Sequence, residues 1–170
     1  MTNKNIALIG FMGAGKSSVG QKLARLLHKE LFSTDKLIEE KEGQTVAGIF
    51  EKCGEAHFRK LEREVVRDVS RKKNVIIDCG GGIVLDPENL SDLKKTGILI
   101  HLSVSPEVIY TRVKVQKHRP LLKVPDPKSK IKELLTVRLP LYEQADHTVD
   151  VNDKTIEEIC QEIIAIVSHR

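Results

Sequence analysis

Short apolar runs alternate with longer amphipathic stretches along all 170 residues of the chain. The runs at about 5–10, 31–34, 74–79, 98–102 and 147–151 read as buried strands. After the first run, Val19, Leu23 and Leu27 recur at helical spacing. A last helix from about Thr155 carries Ile156, Ile159, Cys160, Ile163, Ile164 and Val167 on one face. Between the second and third strands the pattern predicts a helical insertion from Asp35 to Arg71, broken near Gly43 and Gly54. Strands alternating with helices predict an α/β fold, with a parallel sheet flanked by helices. One segment does not follow the pattern. From Lys114 to Lys132 there are seven Lys or Arg residues, three prolines and little apolar periodicity, and Pro120, Pro125 and Pro127 forbid a continuous helix. It reads either as a solvated surface loop or as a lid closing over a reactive site.

Composition narrows the class. The length suits one domain, 1–170, with a full core. No apolar run approaches the roughly 18 residues of a membrane span, and the first strand begins almost at once, so neither an anchor nor a signal segment is expected. Three cysteines, none in a C-x-x-C pair, suit a reducing cytoplasmic setting and propose neither a disulfide framework nor a zinc site. The net charge of +4 comes with no tryptophan, two tyrosines and four phenylalanines, a poor stock for stacking bases. An anionic nucleotide and an anionic co-substrate explain the excess better than a nucleic acid.

The chemistry begins at Gly10-Phe11-Met12-Gly13-Ala14-Gly15-Lys16-Ser17, which fits G-x-x-x-x-G-K-[ST] between a predicted strand and a predicted helix. In that context glycines turn backbone N–H groups toward phosphates, and the helix N-terminus adds partial positive charge. Lys16 would reach the β- and γ-phosphates and Ser17 would sit on Mg²⁺. A nucleoside triphosphate, ATP or GTP, is the expected ligand.

Phosphoryl transfer requires positioning and charge neutralisation above all. A carboxylate after an apolar strand is the expected metal partner, and Val75-Ile76-Ile77-Asp78 has that form. Behind it, Gly80-Gly81-Gly82 implies close backbone approach to something, unless it is a loose connector. Arg59 and Glu62, three apart, can pair on one helix face. By spacing alone that pair reads as surface charge, as do Arg119 and Arg138. The six histidines show no ligand spacing and read as surface or element-end residues.

Together these segments resemble the shikimate kinase family over essentially the whole chain. The resemblance rests on G-F-M-G-A-G-K-S at 10–17, T-D-K-L-I-E from Thr34, I-F at 49–50 and G-E-x-x-F-R-x-x-E at 54–62. It continues through G-G-G at 80–82, R-P-L-L at 119–122 and R-x-P-L-Y at 138–142. It implies a P-loop, nucleoside-monophosphate-kinase-like fold with a five-stranded parallel sheet, a substrate-binding region at about 35–62 and a lid at about 114–127. It implies ATP-dependent phosphorylation of the 3-hydroxyl of shikimate, a step of aromatic amino acid biosynthesis, by a monomer that needs Mg²⁺. Gly13, Ala14, Gly15, Lys16, Ser17, Ser18, Arg112, Arg119 and Asn152 would then contact ATP. Asp35, Arg59, Gly80, Gly81, Gly82 and Arg138 would contact shikimate, and Lys16, Asp35 and Arg119 would act in catalysis. The planar forks of Arg59 and Arg138 suit a carboxylate, and Asp35 suits hydroxyl groups.

The chain departs from the family pattern at two places. The family usually carries D-x-D at the end of the second strand, where this chain has Ser33-Thr34-Asp35. The position of Asp78 is often small and neutral in the family, so the metal-site carboxylate is expected to have moved from the second strand to the third, leaving Ser17 and Asp78 as metal residues. Around Val151-Asn152-Asp153-Lys154 the match is loose, and only backbone contact with adenine near Asn152 is expected. A kinase of another polyol acid such as gluconate, or a weakly active nucleotide-binding homologue, are the alternatives.

Overall fold

The computed structural model of the chain describes residues 4–114 and 124–168. Its elements run β1 (Asn5–Ile9), α1 (Lys16–Leu27), β2 (Glu30–Ser33), α2 (Thr34–Glu42), α3 (Val46–Ser70) and β3 (Val75–Asp78). A 3₁₀ turn (Ile83–Leu85) leads into α4 (Pro87–Thr96), then β4 (Gly97–Ser103), α5 (Pro106–Val113), α6 (Pro127–Tyr142), β5 (His147–Asp150) and α7 (Ile156–Ser168). The five strands form one parallel sheet in the order β2-β3-β1-β4-β5. β1 is buried at every position because strands pair on both its edges and helices cover the sheet, which is why it reads as a continuous apolar run.

Local chemistry explains where the helices begin and bend. α4, α5 and α6 each start with a capping Asp or Ser followed by Pro, so a side-chain oxygen and a preset φ open the helix together. Within α3, Gly54 sits at φ 79 and ψ 170, a conformation open essentially to glycine alone, and it splits the helix into two arms. Gly43 ends α2 with φ 64. These are the two predicted breaks of the insertion.

The main core fills the sheet and its covering helices, with Ile6, Leu8, Ile76, Ile100 and Leu102 fully buried. A smaller cluster of Ile38, Ile49, Phe58, Leu61 and Val65 holds α2 against α3. The face predicted for α7 is buried at Ile159, Cys160, Ile163 and Val167, but Ile156, at the first turn, is 44% exposed at the rim of a cavity. His101 also departs from expectation. It lies mid-strand in β4, only 4% exposed, stacked on Tyr142 with ring centroids 4.9 Å apart. No periodicity marks such a position, since both faces of a central parallel strand are covered. None of the described helices is long and apolar enough to cross a membrane.

Candidate active site

Most of the described candidate residues gather beyond the carboxyl ends of β1, β2 and β3, where α/β sheets hold ligands. The loop after β1 leads into α1 at Lys16, which is 8% exposed and donates from Nζ to the carbonyls of Gly10 and Phe11 at 2.9 and 3.1 Å. A cavity of about 710 Å³ opens over this loop, lined by Gly13, Ala14, Gly15, Lys16, Ser17 and Ser18. Arg112, near the end of α5, lines it too and donates from Nη1 to the Gly13 carbonyl at 3.0 Å.

Ser17 and Asp78 are brought together on one wall of that cavity: the serine Oγ donates to Asp78 Oδ2 at 2.6 Å. Ser33 stands directly opposite Asp78 in the β2–β3 register and lines the same cavity. A hydroxyl and one carboxylate are hard oxygen donors. Among the described residues no cluster of three His, Cys, Asp or Glu side chains could cage a metal by itself. Such a set fits Mg²⁺, which keeps water and takes further oxygens from phosphates.

A second cavity of about 460 Å³ is bounded by α2, α3, the glycine turn and α6. Thr34 Oγ1 accepts from the Gly80 amide at 2.9 Å, which ties the start of α2 to the glycine turn and sets Asp35 beside it. A β-carbon at Gly80 would lie 2.7 Å from Asp35 Oδ1 and 3.0 Å from Glu62 Oε1, and one at Gly82 would collide with the Arg59 guanidinium. Side chains from α2 and α3 crowd Gly80 and Gly82, while Gly81 lies against the backbone of Gly10, Phe11 and Met12 in the loop after β1. Phe50 and Phe58, tilted with centroids 4.8 Å apart, give the cavity an apolar wall.

Arg59 and Arg138 both line this cavity. Arg59 is held from its own helix, donating to Glu55 Oε1 at 2.9 Å and Glu62 Oε2 at 2.8 Å. Burial works against its charge, but Glu62 and Glu55 outweigh it and raise its pKa. Arg138, 3% exposed, donates to the Gly81 carbonyl at 3.3 Å, and Tyr142, one turn later, donates its hydroxyl to the same oxygen. The Arg59–Glu62 pair is therefore no surface ion pair. Glu62 is 1% exposed, and burial, opposed by Arg59, pushes its carboxyl up to about 7. Burial, aided by the Lys16 charge, depresses His101 to about 4.

The two cavities share Met12, Asp35, Gly80 and Gly81. Arg119 and residues 115–123 of the expected lid lie outside the described residues. Asn152 does not line either cavity. Its Oδ1 accepts from the Ser105 amide at 2.8 Å and its Nδ2 donates to Asp150 Oδ1 at 2.7 Å. Lys154, two residues on, lines the phosphate cavity instead, as does Lys36 from α2, and neither position was singled out by sequence reasoning. Lys154 follows β5, and its place over the loop after β1 depends on the strand order, which apolar runs do not encode.

Comparison with known proteins agrees with this architecture. The family model described as "Shikimate kinase" matches residues 12–168. Shikimate kinase of Caldanaerobacter subterraneus subsp. tengcongensis is 53% identical over 161 residues, covering 95% of this chain and 94% of the relative. That of Thermoanaerobacter pseudethanolicus is 46% identical with the same coverage. Among solved structures, shikimate kinase from Acinetobacter baumannii in complex with shikimate is 38% identical with a TM-score of 0.95, covering 99% of this chain and 96% of that one. With the described motif residues lining two joined cavities and these matches spanning nearly its whole length, the chain belongs to the shikimate kinase family.

Proposed function

We propose that this chain transfers the γ-phosphoryl group of ATP to the 3-hydroxyl of shikimate, giving shikimate 3-phosphate and ADP in the route to chorismate and the aromatic amino acids. One observation carries the reading: a phosphate-type loop and a pair of arginines line two cavities that meet at Met12, Asp35, Gly80 and Gly81. A triphosphate on the loop and a small carboxylic acid between the arginines would present donor and acceptor to each other across Asp35 and the glycine turn.

Each residue then has a physical role. Gly13, Ala14, Gly15 and Ser18 surround the phosphates with backbone and hydroxyl donors, and Lys16 turns from the Gly10 and Phe11 carbonyls onto the β- and γ-phosphates. Arg112 extends along the base, and Arg119 reaches the phosphates from the lid. Asn152, bonded to Ser105, supports the base end by fixing the loop that carries Lys154. Arg59 and Arg138 grip the carboxylate with charge-assisted bonds, and Gly80, Gly81 and Gly82 let the ring approach. Asp35 accepts from the hydroxyl groups, orienting the one that attacks and receiving its proton. Ser17 and Asp78 would hold Mg²⁺, which supplies neutralisation of charge on the phosphate oxygens. Asp78 supplies from β3 the carboxylate that the family usually supplies from the position of Ser33, one strand away in register.

The enzyme on this reading is a cytoplasmic monomer. An exposed free Cys53, with Cys79 and Cys160 also unbridged, suits a reducing compartment. A coupled ADP assay with shikimate and gluconate as rival acceptors tests the assignment. Shikimate-dependent ADP release is expected. Turnover only with gluconate, or none with any acceptor, would overturn it.

A further inference from the structure

Glu62 is doubly unusual among the charged groups of the acceptor cavity. It is 1% exposed, and while Oε2 accepts from Arg59, Oε1 meets no hydrogen-bond partner among the described residues. That second oxygen faces the glycine turn, 3.0 Å from where a β-carbon of Gly80 would stand, a point Asp35 Oδ1 approaches to 2.7 Å. Two carboxylates thus converge on the floor of one cavity, from α3 and from α2. The groups facing Glu62 are Arg59 on α3 (itself bonded to Glu55), Asp35 on α2, Arg138 and the Tyr142 hydroxyl on α6, and the buried Cys79 thiol after β3. Burial favours the neutral acid and Asp35 adds to it. Arg59 first, and Arg138 after it, hold the anion, and the balance stands at about 7.

We propose that Glu62 takes up a proton when the anionic acceptor binds, so that recognition of the substrate carboxylate is proton-linked. This rests on the shikimate reading above. The cation that keeps Glu62 ionised is the one the incoming carboxylate needs. Once Arg59 is shared, a new negative charge lies beside a buried carboxylate and water leaves the cavity. Both changes favour the neutral acid. The proton comes from solvent and forms one O–H bond on Glu62, and no other bond changes. Neutral Glu62 no longer pairs with Arg59 as an ion, so the whole guanidinium charge is available to the substrate. Glu62 is therefore a positioning residue, acting through Arg59.

Calorimetric titration of the whole protein with shikimate, at pH 7.5 in buffers of different ionisation enthalpy, tests this directly. If binding raises the carboxyl's proton affinity tenfold, about half a proton is taken up per shikimate bound. Affinity then falls about tenfold overall as the pH rises from 6 to 9. Glu62→Gln, which cannot titrate, is expected to bind shikimate with little proton uptake and a flat pH profile. A purely structural Glu62 would leave the proton count unchanged. Buffer-independent heats in the parent protein overturn the linkage whether or not the variant folds. Equal uptake in parent and variant overturns it too. No binding of shikimate in any buffer overturns the substrate assignment along with the linkage, an outcome distinct from binding without protons.

Discussion

The β-carbon that Gly82 lacks leaves room for the Arg59 guanidinium, which crowds the place that carbon would take. In Gly82→Ala the new methyl group meets the far end of a flexible side chain rather than backbone, so the fold should survive and the arginine should move. The expected result is a Tm within a few degrees of the parent and a KM for shikimate raised at least roughly tenfold, since a misplaced fork loses its paired hydrogen bonds. An unchanged KM would show that Arg59 does not hold the substrate. Arg59→Lys and Arg138→Lys retain charge but not the planar fork, and each should lose at least about tenfold in kcat/KM, roughly 1.4 kcal/mol. Near-normal kinetics in both would refute the two-arginine grip. At this scale the motif residues were legible because phosphate and carboxylate chemistry demands particular side chains at particular spacings. The burial of Glu62 and Arg138 was not, because it depends on where α3 and α6 come to rest against the glycine turn.

Among the elements, the sheet register explains more than any helix. Strand positions were readable within a residue or two from apolar runs, and the insertion's two breaks from its glycines. Neighbours across strands are not encoded in sequence distance: Ser33 and Asp78 are 45 residues apart yet stand side by side. Their adjacency makes a carboxylate exchange between β2 and β3 geometrically cheap. Asp78→Asn is expected to raise the Mg²⁺ concentration needed for half-maximal rate by roughly 10- to 100-fold, as loss of a metal partner does elsewhere. Adding Ser33→Asp should recover part of that loss. Mg²⁺ dependence and kcat untouched by Asp78→Asn would mean that the carboxylate has another role.

For the molecule as a whole, the buried His101 and Glu62 hold protons out of step with the unfolded chain between about pH 4 and 7. His101 is depressed by burial and by Lys16 from 6.5 to about 4, so on acidification below pH 6.5 the unfolded chain gains a proton first and stability falls. Glu62 is raised by burial, against Arg59, from 4.5 to about 7, so below pH 7 the folded chain gains the proton first and stability rises. The two trends oppose each other from about pH 6.5 to 4.5. Relative to the parent, His101→Gln should gain stability as the pH falls through that window, and Glu62→Gln should lose it. Urea midpoints across the pH range measure both. Parallel curves for all three proteins would contradict the opposed pair.

The division of the apolar interior has a further consequence. The cluster of Ile38, Ile49, Phe58, Leu61 and Val65 is separate from the sheet's core, with Leu37 packed against both. Units held by so few large side chains open well below the cost of global unfolding. Amide hydrogens of α2 and the first arm of α3 should therefore exchange with deuterium much faster than those of β1 and β4. On that expectation the acceptor end of the enzyme breathes, admitting and releasing its small ligand, while the sheet beneath the phosphate loop holds.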